Sequence, residues 1–248
     1  MISIKTKEEL ELMRISGKIN HDCHELLAKN IKAGITTKEL NDIAESFIRK
    51  QECLPSFQGY EGFPESICIS INDEVVHGIP DKRTLSEGDI VSIDIGVLYK
   101  GFHSDSARTY IVGKARNKKH ELLLFATKEA LYKGMEKIKD GTKVRDVSAA
   151  IHEVADKNNL GVIRELVGHG VGKNLHEEPD VPNYRNKDNV ILRAGMTIAI
   201  EPMLTLGKKD VEILENDWTI ATQDGSMAAH FEHTVEVTKD GYRILTGE

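Results

Sequence analysis

VSIDIGVLYKGFHSDSA, residues 91–107, decides how this chain folds. Val91 to Val97 alternates apolar with small or polar residues, the period-two pattern of a strand that buries one face. Lys100-Gly101 supplies a turn, and residues 102–112 read as the returning strand. Val91, Ile93, Ile95 and Val97 share one face, while Ser92, Asp94 and Gly96 share the other. Across the turn, Asp94 and Asp105 fall within about one residue of cross-strand register. Two carboxylates placed so closely in an apolar segment repel unless a cation sits between them.

The segment has a counterpart further along. LSEGDIVSIDIG begins at Leu85 and LRAGMTIAIEPM at Leu192, while Ile31-Lys-Ala-Gly34 matches Ile138-Lys-Asp-Gly141. Both pairs share one offset, 107 residues (192 − 85 and 138 − 31), which sets Gly195 on Gly88 and Glu201 on Asp94. A twofold-duplicated α/β unit follows. We expect one domain over 1–248, made of pseudo-symmetric halves of about 1–115 and 116–248. Three- and four-residue apolar spacing predicts helices over 6–29, 37–52, 120–137 and 144–158, with Thr37 as an N-cap. Strands are expected over 66–71, 89–98, 102–112, 161–167, 196–205, 217–222 and 230–238.

The second half repeats the placement of acids. Ile198 and Ile200 oppose Thr197, Ala199 and Glu201, and in HFEHTVEV Glu232 lies opposite Phe231, Val235 and Val237. One acid on a strand is commonly solvated, but two at repeat-equivalent positions argue for a shared task. His169, between glycines in GHGVG, stands where the backbone can bend close to a ligand. Four carboxylates and one imidazole suit two divalent ions, bridged by two of the acids, better than a cysteine-rich structural zinc. HExxH, GxSxG, P-loop and Rossmann fingerprints are absent from the sequence. His77 in EVVHGIP and His176 in NLHEEPD are further imidazoles, each as readily structural as catalytic.

Composition narrows the class. Apolar residues at 40% and charged residues at 29% are ordinary for a globular chain of 248 residues. The net charge of −7 gives no general case for nucleic acid. A basic run, Lys114 to His120, reads as a solvated linker, with RNA or ribosome contact as the alternative. Three cysteines without CxxC spacing, a charged N-terminus and the lack of a long apolar run point to the cytoplasm and to no membrane partner.

VHGIP, SIDIG, the Asp94/Asp105 spacing, GHGVG with HEEP, IAIEPM and FEHTV together resemble the type I methionine aminopeptidases, in that family's order and over nearly the whole chain. The resemblance implies the duplicated pita-bread α/β fold, an antiparallel-rich sheet covered by helices. The 32 residues between His169 and Glu201 leave no room for the large insertion of type II enzymes, and no zinc-binding N-terminal extension is expected.

The same resemblance implies removal of the N-terminal methionine of nascent chains when the second residue is small. A hydroxide held between the metals would make the attack. Asp94, Asp105, His169, Glu201 and Glu232 look like its metal ligands, for two ions of Co, Mn, Fe or Zn. Asp105 and Glu232 would bridge, with Asp94 on one ion and His169 and Glu201 on the other. His77 resembles the residue at the scissile nitrogen, His176 the one at the carbonyl, and Glu201 the proton shuttle. Tyr60, Phe63, Cys68 and Trp218 resemble the methionine pocket, and Leu175 stands where the family often carries an aromatic. A monomer acting on polypeptide N-termini is implied. A proline-directed peptidase of the same fold and a non-catalytic binding protein are the alternatives.

Overall fold

The computed structural model describes residues 2–247. The quoted segment forms the antiparallel hairpin of Ile90–Tyr99 and Phe102–Ile111. Its two turn residues both have positive φ, 46° at Lys100 and 85° at Gly101. That geometry matches the twist of the flanking strands, and Gly101 adopts it without a Cβ penalty. The register corrects the expectation. Asp94 pairs with Ala107 and Asp105 with Gly96, so the acids are diagonal neighbours rather than nearly opposed. A two-residue turn pairs Tyr99 with Phe102 and thereby sets every later pair. The offset is even, so both carboxylates stay on one face.

The four expected helices form as α1 (Lys7–Ala28), α2 (Thr37–Lys50), α3 (Lys118–Met135) and α4 (Val144–Lys157). The cap of α2 is Thr36, not Thr37. Thr36 Oγ1 accepts from Glu39 N at 3.1 Å while the Glu39 carboxylate accepts from Thr36 N at 2.8 Å, a reciprocal capping box. Thr37 is the first helical residue, and its hydroxyl instead donates to Asp81 O at 3.0 Å. The basic run is only partly a linker, because Lys118, Lys119 and His120 form the first turn of α3 under an Asn117 cap.

Several expected strands are shorter or broken. The 161–167 run keeps only Gly161–Val162. The 196–205 run splits into Thr197–Ile200 and Met203–Thr205, and the 230–238 run into Ala228–His230 and His233–Val237. At each break the chain leaves a five-stranded sheet for a three-stranded one or the reverse. Glu201 and Glu232 occupy these breaks, so Glu232 lies between strands rather than on one. Glu74–Val76, Gly168–Gly170, Glu177–Val181, Val211–Ile213 and Tyr242–Ile244 had no sequence signal, being too short for a period to register.

The two largest apolar cores among the described residues lie between sheet and helices. Val91, Ile93, Ile95 and Val97 pack with Cys23, Leu27, Leu40 and Ile48 of α1 and α2. Ile198, Ile200 and Val235 pack with Leu123, Leu131, Val147 and Ile151 of α3 and α4. The 107-residue offset recurs in the backbone. α2 and α4 start and end 107 residues apart (144 − 37 and 157 − 50). Gly34 N donates to Leu85 O and Gly141 N to Leu192 O; Leu85 N donates to Ile35 O and Leu192 N to Thr142 O. The isolated bridges Thr36–Thr84 and Lys143–Ile191 obey the same offset.

One seam joins the two sets of elements. Thr234 Oγ1 accepts from Asp105 N at 2.9 Å and donates to Asp105 O at 2.7 Å. Glu232 N donates to Ala107 O at 2.9 Å, and Thr109 Oγ1 donates to His230 O at 2.7 Å. The outer edge of the first hairpin is thereby stitched to the second break, which brings Asp105 against Glu232.

Candidate metal centre

Glycines beside Asp94 and His169 let neighbouring backbone and side chains pack close to these two residues. Gly96 shares the face of Asp94, and a Cβ there would lie 2.6 Å from Ser56 Cβ, so the small residue admits a packed loop beside the acid. Gly168 and Gly170 flank His169, where Cβ atoms would meet Ala199 O at 2.4 Å and Glu178 O at 2.3 Å. Only glycines let the His169 strand lie this close between its neighbours.

Convergence is tight. Asp94, Asp105 and Glu232 place donor oxygens within 4.8 Å of one another, as do donor atoms of His169, Glu201 and Glu232, and of Asp105, His169 and His176. His169 Nε2 stands 3.5 Å from Glu201 Oε1 and 3.9 Å from Asp105 Oδ2. The structure thus brings together all five residues singled out as ligands, with Glu232 common to two groups.

Electrostatics says what the cluster would hold. Burial pushes Asp94 up to about 6 and Glu201 up to about 8. Burial, reinforced by neighbouring carboxylates, holds Asp105 and Glu232 well above the usual carboxylate range. Asp94 Oδ1, Asp105 Oδ1 and Glu232 Oε1 are buried without a hydrogen-bond partner. Burial lowers His169 to about 3, keeping it neutral. Its Nδ1 lies 2.9 Å from Gly170 O, so with Nδ1–H donating there, the Nε2 lone pair faces the acids. Unpaired carboxylate oxygens and a neutral, oriented imidazole fit divalent cations, which would take the place of the protons that burial favours.

The centre lies in a cavity of about 1020 Å³. Cys68 pairs directly with Asp94 across adjacent strands and so lies on the same face. Phe63, Cys68 and Leu175 pack with Tyr60 and Trp218, and the Phe63 and Trp218 rings meet edge-on at 5.2 Å. Phe57 and Ile79 complete that apolar wall and carried no signal in the sequence. His77 lines the same cavity at φ 58°, unusual for a residue with a Cβ, and Gly78 follows because a Cβ there would sit 2.1 Å from Ile69 O. His176 Nδ1 lies 2.8 Å from Tyr60 Oη, and its ring meets that of His169 edge-on at 4.1 Å. Burial lowers His77 to about 4 and lowers His176 as well.

The profile of Metallopeptidase family M24 matches residues 11–239. The chain belongs to metallopeptidase family M24. Within that family it is similar to methionine aminopeptidase 1 of Bacillus subtilis, 49% identical over 99% of each chain. It is likewise similar to the crystal structure of methionine aminopeptidase from Thermotoga maritima, with a TM-score of 0.98 at 43% identity over the full length of both. The prolidase of Pyrococcus furiosus is more distant, with a TM-score of 0.77 at 24% identity, and only 65% of that chain is covered. That last likeness is one of fold alone. The M24 fold brings one residue to the centre that sequence reasoning passed over, His230, although it precedes Glu232 by two positions and so shares its side-chain parity.

Proposed function

We propose that the chain is a dinuclear-metal methionine aminopeptidase that removes the N-terminal methionine of polypeptides when the second residue is small. The observation that carries this reading is the pair of donor groups sharing Glu232, set beside an apolar pocket of aromatics, Cys68 and Leu175. A flexible thioether fits such a pocket.

Asp94, Asp105 and Glu232 would hold one divalent ion, and His169 and Glu201 with the shared acids the other. The donor set accepts Mn, Fe, Co or Zn. When bound, the ions supply Lewis acidity and a water activated at neutral pH. The apolar wall orients the methionine side chain, and the Asp94 side of the centre faces the free amine of the substrate. His77 hydrogen-bonds at the scissile nitrogen and His176, held by Tyr60, at the carbonyl oxygen as charge develops there. Glu201 carries a proton from water to the departing amine as the Met–Ala bond breaks.

Glu201→Gln is expected to lower turnover of Met-Ala-Ser by about 10²-fold or more with folding retained. Near-wild-type turnover would overturn the assignment. A preference for Xaa-Pro peptides over Met-Ala-Ser would favour a proline-directed peptidase instead. We also propose a single catalytic domain of related halves, about 1–115 and 116–248, supported by the backbone bonds repeated at one offset. A cytoplasmic monomer is proposed with it, on three buried free cysteines. The exposed Lys114, Lys118 and Lys119 are the candidate ribosome contact.

A further inference from the structure

Glu201 is flanked by two histidines, one at each oxygen. His169 Nε2 lies 3.5 Å from Oε1, and His230 Nε2 lies 3.6 Å from Oε2. The first pair belongs to a group of converging donor atoms, whereas His230 belongs to none of the three such groups among the described residues. His230 is 1% exposed, its Nε2 has no hydrogen-bond partner, and Glu232 Oε2 is 3.9 Å away. Its backbone is clamped. Thr109 Oγ1 accepts from His230 N at 2.9 Å and donates to His230 O at 2.7 Å, and Ser92 Oγ meets the same hydroxyl at 2.8 Å.

A buried, unpartnered ring nitrogen is destabilising unless something satisfies it. The acceptor nearest to Nε2 is the Glu201 oxygen turned away from His169. The gap exceeds a hydrogen bond by a few tenths of an ångström, and a small rotation of a carboxylate at the end of its side chain closes it. We propose that His230 is a positioning residue for Glu201: its Nε2–H donates to Oε2 and thereby reserves Oε1 for the ion that His169 helps to hold. The proposal rests on the metallopeptidase reading and deepens it. His230 acts through Glu201, not on the substrate.

The test compares metal-free wild type, His230→Leu and His230→Gln, each checked by circular dichroism. Co(II) affinity is measured by competition with a chelator, visible absorption reports the coordination, and Met-Ala-Ser gives kcat and KM. Loss of an outer hydrogen bond to a ligand is expected to weaken the affinity of the His169–Glu201 ion about 10- to 100-fold. His230→Leu should also shift the Co(II) bands and lower kcat more than it raises KM. Glutamine, which can still donate, should restore most of each loss. If His230→Leu does not fold, His230→Met, equally unable to donate, takes its place. Wild-type affinity and spectrum in the Leu or Met variant would overturn the proposal. So would X-ray absorption that counts one histidine nitrogen fewer on the ions in His230→Leu than in wild type, which would make His230 a ligand. Failure of wild type to cleave Met-Ala-Ser while binding Co(II) would sink the peptidase reading but leave the affinity comparison decisive for His230.

Discussion

At the scale of single residues, the centre depends as much on side chains that are missing as on those present. Gly168 and Gly170 are required by the approach of neighbouring backbone to the His169 strand. Gly168→Ala would set a Cβ 2.4 Å from Ala199 O, in backbone that cannot swing aside. A loss of about 1–3 kcal/mol is expected, as for other overpacked sites, measured by urea denaturation, with weaker Co(II) binding because His169 moves. Unchanged stability would show that the strand has slack. Glu232 illustrates the opposite tension. It is 2% exposed among like charges, so without a cation it opposes folding. Glu232→Gln is expected to leave the metal-free chain no less stable than wild type while abolishing tight ion binding; thermal melts with and without metal test both halves of that statement. Asp94, Glu201 and Glu232 were legible in the sequence through parity and the repeat, Asp105 through the hairpin spacing and His169 through its flanking glycines. Phe57 and Ile79 were not, because an apolar residue in a loop carries no period that reports what it faces.

At the scale of elements, α1 shows how a helix with a polar inner row is held. Ser16, Asn20 and His24 lie four residues apart, and Ser16 Oγ donates to Val97 O at 2.7 Å. Asn20 Nδ2 donates to Ile95 O at 2.5 Å, and His24 Nε2 lies 3.0 Å from Ser106 O. The row docks α1 on the hairpin that carries Asp94 and Asp105. Burial, with Arg108, His233 and His21 nearby, holds His24 well below its ordinary value of 6.5. A depressed group contributes stability above its unfolded value, and that contribution is lost as pH falls below about 6.5 toward the folded value. Stability is therefore expected to drop between pH 7 and pH 5 in urea titrations, with a shallower drop in His24→Gln; parallel pH profiles would refute this. The α2 cap was misplaced by one residue because two threonines compete at its start. The Thr36-to-Glu39 spacing, not hydroxyl chemistry alone, identifies the capping box. Thr36→Ala should lower the urea midpoint by an amount worth about 1 kcal/mol with an unchanged slope.

At the scale of the whole molecule, the cation is expected to be part of the fold's energetics. The centre joins elements far apart along the chain, from Asp94 to Glu232, so ions that bind only the folded state stabilise the entire assembly. At an ion concentration one hundred times the dissociation constant the gain is about 2.7 kcal/mol. Removing metal with a chelator should lower the thermal midpoint, and restoring Mn(II) or Co(II) should return it. An identical midpoint in both states would contradict a resident cation. Family membership in M24 and the expected α/β fold with antiparallel sheets and helical cover agree with this architecture.

The helices, the principal hairpin, the parity of the acids and the repeat were readable along the chain, because each is written in spacing, of two or four residues locally and of 107 between the halves. Tertiary structure alone decided that Asp94 and Asp105 are diagonal, since pairing across a turn depends on turn geometry and not on composition. It also decided that Glu201 and Glu232 sit in breaks between sheets, where the chain changes hydrogen-bonding partners. Placement of His230 beside Glu201 belongs with these: that contact spans strands joined only in space, and no spacing along the chain records it.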